Sequence, residues 1–238
     1  MTALEGMHIL VTGSSSGLGL GAARDLAAAG HAVVLHRRSK TTAVPDPAAW
    51  HSVVTGDLGN LAQVRTIAEE VSALGRLDTV IHNAGVIGGA DLVTVNVLAP
   101  YLLTALMPKP ARLIYLSSGM HRGGSTDLSR LASGRASYSD TKLVLTTFAA
   151  AAANQWEGTV THAVDPGWVP TRMGGAGAPD DLVAGHETQV WLATHDVEPA
   201  TGGYWYHRRT QQPHPAVSDP VFQADVLAEL GRLTGVRT

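Results

Sequence analysis

A phenol and an ammonium stand four residues apart in Tyr138-Ser139-Asp140-Thr141-Lys142, at the start of the alanine-rich stretch YSDTKLVLTTFAAAAANQW. Residues at i and i+4 of a helix lie one above the other on the same face. A cation beside a phenol favours the phenolate, drawing a pKa that starts near 10 toward neutrality. Such a pair can give a proton to a developing alkoxide and take it back in reverse. Tyr and Lys are also ordinary surface residues, so the pair gains meaning only from its surroundings.

Those surroundings begin at residue 7. The apolar run MHILVT (7–12) leads into TGSSSGLG (12–19), a GxxxGxG spacing at the opening of a helical pattern. Gly13, Gly17 and Gly19, with Ser15, Ser16 and Leu18 among them, would form a tight turn where backbone approaches closely. A helix N-terminus there offers N–H groups and positive dipole to a pyrophosphate. A glycine turn used only for packing is the alternative, but strand, glycines and helix come in the order a phosphate site needs.

The second apolar run ends in LHRRSK, with Arg37 and Arg38 where an NAD site carries an acid for the ribose hydroxyls. A guanidinium makes bidentate contacts with a 2′-phosphate, which points to NADP(H) rather than NAD(H). Solvated loop arginines are the alternative. In GDLGN, Asp57 would either accept from an adenine amino group or cap the helix that starts near Asn60. HNAG (82–85) places glycine and small residues at another strand end. Pro100 lies four residues beyond Asn96 in a helical run, so the Asn96 carbonyl loses its intrahelical partner. That carbonyl would hold a water near the site, or else Asn96 is a surface residue beside a proline kink.

The elements that must position these residues alternate. Strand runs at 7–12, 31–36, 51–56, 77–83, 111–118, 158–166 and 202–207 are separated by helical patterns, the last over 219–233. Strands apolar almost throughout, alternating with helices, give an α/β, doubly wound parallel sheet of about seven strands with helices on both faces. Ligands of such a sheet bind at the carboxyl ends of its strands. Residues 37–50 break the alternation, with two prolines and no helical period, and read as a loop or stunted helix.

Composition bounds the rest. The 238 residues fit one large domain, 45% hydrophobic and 16% charged, which is globular. A net charge of -3 offers no footprint for nucleic acid or an acidic membrane. Without cysteine there are no disulfides or thiolate metal sites. The start MTALEGMHILVTG shows no signal-peptide pattern, and no stretch reaches the roughly 18 apolar residues of a membrane span. The expectation is a cytoplasmic protein. HETQV at His186 has Val190 where a zinc-binding helix needs a second histidine, so no metal site is expected.

TGSSSGLG, HNAG, the asparagine of VNVLAPYLLT, LIYLSS, YSDTK and DPGWVPT together resemble the short-chain dehydrogenase/reductase family, in its compact single-domain branch. The motifs follow the family's order over residues 7–172, about 70% of the chain. SSGMH and the spacing from Ser118 to Tyr138 are most similar to retinol-dehydrogenase-type members, and TGGYWYHRRTQQPHP to bacterial carbonyl reductases. The resemblance implies one NAD(P)-binding Rossmann-type domain over 1–238, with substrate bound by about 168–238. It implies NADP(H)-dependent hydride transfer to or from a carbonyl or alcohol. Tyr138 matches the acid/base, and Ser118 the serine that orients the carbonyl. Lys142 matches the lysine that binds the nicotinamide ribose and lowers the tyrosine pKa. Asn96 matches the asparagine of a water-borne proton relay. Leu58, Asn83, Ala84 and Gly85 match cofactor contacts, Pro166, Gly167 and Val169 the turn over the nicotinamide, and Thr171 the residue holding its carboxamide or phosphates.

The stretch from Asn83 to Asn96 spans 13 positions, short for the family, so one wall of the substrate pocket is in doubt. Met120, His121, Trp168 and Met173 flank the catalytic positions as an apolar pocket or as ordinary loop and core residues. The alanine-rich face at 149–153, with the helix at 91–107, would join a homodimer or be covered within one chain. Two other functions fit the same residues: an NADP(H)-sensing regulator without chemistry, and an epimerase or dehydratase with a tightly held cofactor.

Overall fold

The computed structural model describes residues 6–237, so the reading of the first residues as free of a signal peptide falls partly on residues 1–5, outside it. β1 (His8–Val11) leads through α1 (Gly17–Ala28) to β2 (Ala32–Arg37), and a loop then reaches β3 (Ser52–Thr55). α2 (Leu61–Ala73), β4 (Thr79–His82), a π-turn (Thr94–Leu98), α3 (Ala99–Leu106) and β5 (Arg112–Leu116) follow. Next come α4 (Ser129–Ala132), α5 (Tyr138–Gln155), β6 (Val160–Asp165) and α6 (Leu182–Thr194). β7 (Tyr204–Tyr206), β8 (Arg209–Thr210) and α7 (Pro220–Thr234) complete the described chain.

The strands lie in the order β3-β2-β1-β4-β5-β6-β7-β8, and every pair from β3 to β7 is parallel. The chain winds outward from β1 to β3, then returns to β4 on the other side of β1. That reversal opens a crevice at the carboxyl ends of β1 and β4. α2, α3, α5 and α7 cover one face of the sheet; α1, α6 and Trp50 cover the other. Burial on both faces is why β1 from Ile9 and β5 from Leu113 read as apolar runs.

Among the described residues the sheet has eight strands, one more than the sequence suggests. β8 is a two-residue antiparallel strand. The reversal before it puts His207 and Arg208 at φ 47° and 59°, the left-handed pair of a mirror-image hairpin turn. Such turns are signalled by Asn-Gly, and His-Arg carries no such signal. Contacts to α6 hold it instead: the Arg208 N–H donates to Thr188 Oγ1 (3.1 Å) and its guanidinium to Glu187 (2.7 Å). Between β2 and β3 there is a loop with one 3₁₀ turn, Pro47–Ala49, where an alternating pattern would have a helix.

α7 settles the alternative for the alanine face. Phe222, Val226 and Leu230 share a core with Phe148, Ala149 and Ala152 of α5. Tyr101 of α3 donates to the Val236 carbonyl at 2.7 Å, and Arg65 of α2 to that of Thr234 at 2.9 Å. The face at 149–153 is therefore covered within the chain.

Two buried histidines make the fold acid-sensitive. His82 stacks on Tyr115 and meets Thr104 Oγ1 at 3.0 Å, and burial lowers its pKa to about 3. Burial, with Arg112 nearby, lowers His162 to about 4. Unfolded, each ring titrates near 6.5. Below that pH the unfolded chain takes up protons the folded chain refuses, so stability is full above about pH 6.5 and falls toward pH 4 and 3. Urea unfolding at pH 7 and pH 5 is expected to differ by roughly 2 kcal/mol per ring. Equal stability at both pH values would contradict it.

Candidate active site

The glycine turn after β1 is shaped by steric need. Gly13 and Gly17 have φ of 64° and 58°, where other residues are strained. A Cβ on Gly13 would lie 3.0 Å from Ala84, and one on Gly19 would lie 2.4 Å from Asn83 Nδ2 and 2.7 Å from the Gly13 carbonyl. The turn after β1 thus packs directly on the turn after β4. His36 braces it: Nδ1 accepts from the Gly13 N–H at 2.9 Å, so Nε2 carries the proton and donates to the Gly56 carbonyl at 2.9 Å. Ser14 Oγ donates to the Val11 carbonyl (2.7 Å) and accepts from the His36 N–H (3.0 Å).

Ser16 occupies the N-cap of α1 without making a side-chain cap bond. Its Oγ accepts from Arg172 at 3.0 Å instead. Asn83 Nδ2 donates to the Thr12 carbonyl at 2.9 Å, while its buried Oδ1 has no protein partner. A glycine cradle, a helix start without a side-chain cap and an unpaired buried acceptor fit a dinucleotide at this edge.

At the β2 end, Arg37 is tied to β3 and to its own loop, donating to Thr55 Oγ1 (2.9 Å) and to the carbonyls of Lys40 and Thr42. Arg38, exposed, pairs with Asp57 at 2.8 Å. Burial pushes the Asp57 carboxyl up, but the Gly59 N–H and Arg38 outweigh it and hold the carboxyl below its usual value. Asn60, not Asp57, caps α2, which removes the capping alternative. Leu58 is buried in the core on the α2 side. Arg38, Ser39, Lys40, Asp57 and Gln63 help line an open cleft of about 600 Å³.

Asn96 is fully buried in the π-turn, so the surface alternative for it falls. With no N–H on Pro100, the helix locally adopts a longer repeat, and the Ala99 N–H donates to the Thr94 carbonyl. The Asn96 side chain is a clamp. Oδ1 accepts from the Val86 N–H (2.8 Å), and Nδ2 donates to the Val86 carbonyl (2.8 Å) and to Thr141 Oγ1 (3.1 Å). It thereby joins the turn after β4, which carries Gly85, to the first turn of α5.

Ser137 and Asp140 form a capping box that makes Tyr138 the first residue of α5. The Tyr138 hydroxyl lies close enough to the Ser118 side chain for Ser118 to draw its pKa down. Lys142, one turn on, is buried; its Nζ donates to the Leu116 carbonyl at 2.6 Å and lies 5.6 Å from the Tyr138 ring centre. Serine, phenol and ammonium converge, but the phenol is not acidified. Burial raises its pKa, Ser118 draws it back only partly, and Asp165 raises it further. Burial also lowers Lys142 to about 8, against an opposing pull from Asp165. The expected lowering of the phenol by Lys142 is thus corrected: the ammonium is spent on a backbone carbonyl, and desolvation prevails.

The segment after β6 folds back over the crevice. Gly167 has φ 80°, and a Cβ on it would lie 2.4 Å from Asp180 Oδ2. Asp180 accepts from the Trp168 N–H at 2.6 Å, and Thr171 Oγ1 accepts from that of Gly174 at 3.2 Å. The Thr171 methyl reaches Gly17, and Met173 Cε lies 3.9 Å from where a Gly85 Cβ would be. Pro166 is half-buried and Val169 buried. Met120, Trp168 and Met173 are exposed. His121 is not at the surface with them: it is fully buried, its Nδ1–H donating to the Ser118 carbonyl (2.7 Å) and its Nε2 accepting from the His214 N–H (3.0 Å). Its place in a substrate pocket is corrected to a latch between two loops. Sequence reading passed over His36, Arg172 and Asp165.

No group of three or more metal-ligating side chains occurs among the described residues, and no helix among them is long and apolar enough to cross a membrane.

A family model described as short chain dehydrogenase matches residues 7–181. The short-chain dehydrogenase chyC of Penicillium rubens is 36% identical over 97% of this chain and 98% of its own length. A crystal structure from Mycobacterium paratuberculosis is 25% identical and superposes with a TM-score of 0.83 over 98% of this chain and 96% of that one. A short chain dehydrogenase of Escherichia coli CFT073, solved with NADPH, is 25% identical with a TM-score of 0.66, over 87% of this chain and 98% of that one.

Proposed function

This chain belongs to the short-chain dehydrogenase family and is an oxidoreductase, and on that premise we propose that it transfers a hydride between NADP(H) and a carbonyl or alcohol. The observation that supports it most is the convergence of Tyr138 and Lys142, with Nζ 5.6 Å from the ring centre, beside Ser118 at the carboxyl edge of the sheet. NADPH would supply the hydride. Tyr138 and Ser118 donate to the carbonyl oxygen, where negative charge builds, and Tyr138 gives it the proton, yielding the alcohol and NADP⁺. Lys142 holds the nicotinamide ribose. Asn96 keeps the turn after β4 and α5 in register. Gly13, Gly17 and Gly19 cradle the pyrophosphate, and Arg38, freed from Asp57, reaches a 2′-phosphate.

Carbonyls assayed with NADPH and NADH, and alcohols with NADP⁺ and NAD⁺, test the proposal. Turnover of a ketone or aldehyde, faster with NADPH at equal concentration, is the expected result. NADPH binding without turnover across the panel would sink it.

A further inference from the structure

Ser118 is followed by a 3₁₀ turn, Gly119–Gly123, that closes on the serine itself. The Met120 N–H donates to Ser118 Oγ at 3.2 Å, which occupies one lone pair and favours the hydroxyl as a donor. The Ser118 carbonyl takes two hydrogens from His121, one from the backbone N–H at 3.0 Å and one from Nδ1 at 2.7 Å. The turn fits closely between its neighbours. A Cβ on Gly119 would lie 2.9 Å from Asp165 Oδ2, which accepts from the Tyr204 hydroxyl at 3.2 Å. One on Gly124 would lie 2.7 Å from the Ser139 carbonyl and from Leu143 Cβ, both of α5.

The same turn meets the loop at 211–214. Arg122 donates to the Gln212 carbonyl at 2.8 Å and lies over the Tyr204 ring at 5.3 Å. His121, fully buried, packs its ring on Tyr204 with centres 4.6 Å apart, and its Nε2 accepts from the His214 N–H at 3.0 Å. A ring nitrogen that accepts carries no hydrogen, so the His214 backbone puts the proton on Nδ1, where it serves Ser118. Burial favours this neutral ring by lowering the His121 pKa.

We propose that His121 is a positioning residue that anchors the Ser118 main chain and so holds the Ser118 hydroxyl on the reacting carbonyl. The His214 backbone makes this possible by fixing the ring in the tautomer that donates to Ser118. This rests on the oxidoreductase reading above.

His121→Asn places an amide N–H near the position of Nδ1 and gives up the His214 bond. His121→Gln places an amide oxygen near Nε2 and gives up the Ser118 bond. Both lose the ring, so their melting temperatures should fall alike. In the Asn variant kcat for ketone reduction is expected within about threefold of wild type, and in the Gln variant to fall roughly ten- to a hundredfold, as for a misplaced reacting group. KM for NADPH should be unchanged in both, since its cradle lies on other elements. Amide hydrogen exchange at Met120, whose N–H rests on Ser118 Oγ, should quicken in the Gln variant and stay near wild type in the Asn variant. Equal kcat in the two variants, or a larger loss in the Asn variant, overturns the proposal. A wild type that binds NADPH without turnover refutes the oxidoreductase reading, and exchange at Met120 still decides whether His121 holds the Ser118 turn.

Discussion

Tyr138→Phe is expected to lower kcat for ketone reduction by about a thousandfold, the usual range for removing a positioned proton donor. The ring remains, with its packing and its contact to Lys142, and the capping box of Ser137 and Asp140 is untouched. What leaves is one hydroxyl beside Ser118. NADPH affinity should therefore stay within about twofold, since its cradle lies on other elements. Steady-state rates and a fluorescence titration of NADPH measure the two quantities. Wild-type turnover in this variant would remove Tyr138 from the mechanism.

Gly19→Ala should do the reverse, abolishing cofactor binding first. The added methyl would sit 2.7 Å from the Gly13 carbonyl and 3.0 Å from Ser14 Cα, both backbone, as well as 2.4 Å from Asn83 Nδ2. A side chain could swing aside; the backbone of a turn stacked on its neighbour cannot. The turn must open, and its N–H groups lose their aim. NADPH affinity is expected to fall at least about a hundredfold, near 3 kcal/mol, with a lower melting temperature. Wild-type affinity would show that the glycine turn does not grip the cofactor.

The strands were legible because both faces of the sheet are covered, so β1 from Ile9 and β5 from Leu113 read as apolar runs. Tyr138, Lys142 and the glycines were legible because their spacing is local. The features that escaped depend on neighbours far along the chain. His36 braces Gly13 only because β1 and β2 lie side by side. His121 reads as a pocket residue until the His214 backbone, 93 residues on, is found against it. Asp165 acquires its setting from β5, α5 and β7 together. The acidity of the phenol went astray for another reason: an i, i+4 spacing reports the cation but says nothing of how much water both groups lose.

The placement of α7 has a consequence for how the molecule assembles. The helix bearing Tyr138 and Lys142 is sealed on its outer side by a segment that begins 65 residues after it ends. Until that segment arrives, two copies at the same stage display matching halves of one interior and can exchange their final helices. Refolding from denaturant at high concentration is thus expected to give interlocked pairs, separable by size from the single chains that form on dilution.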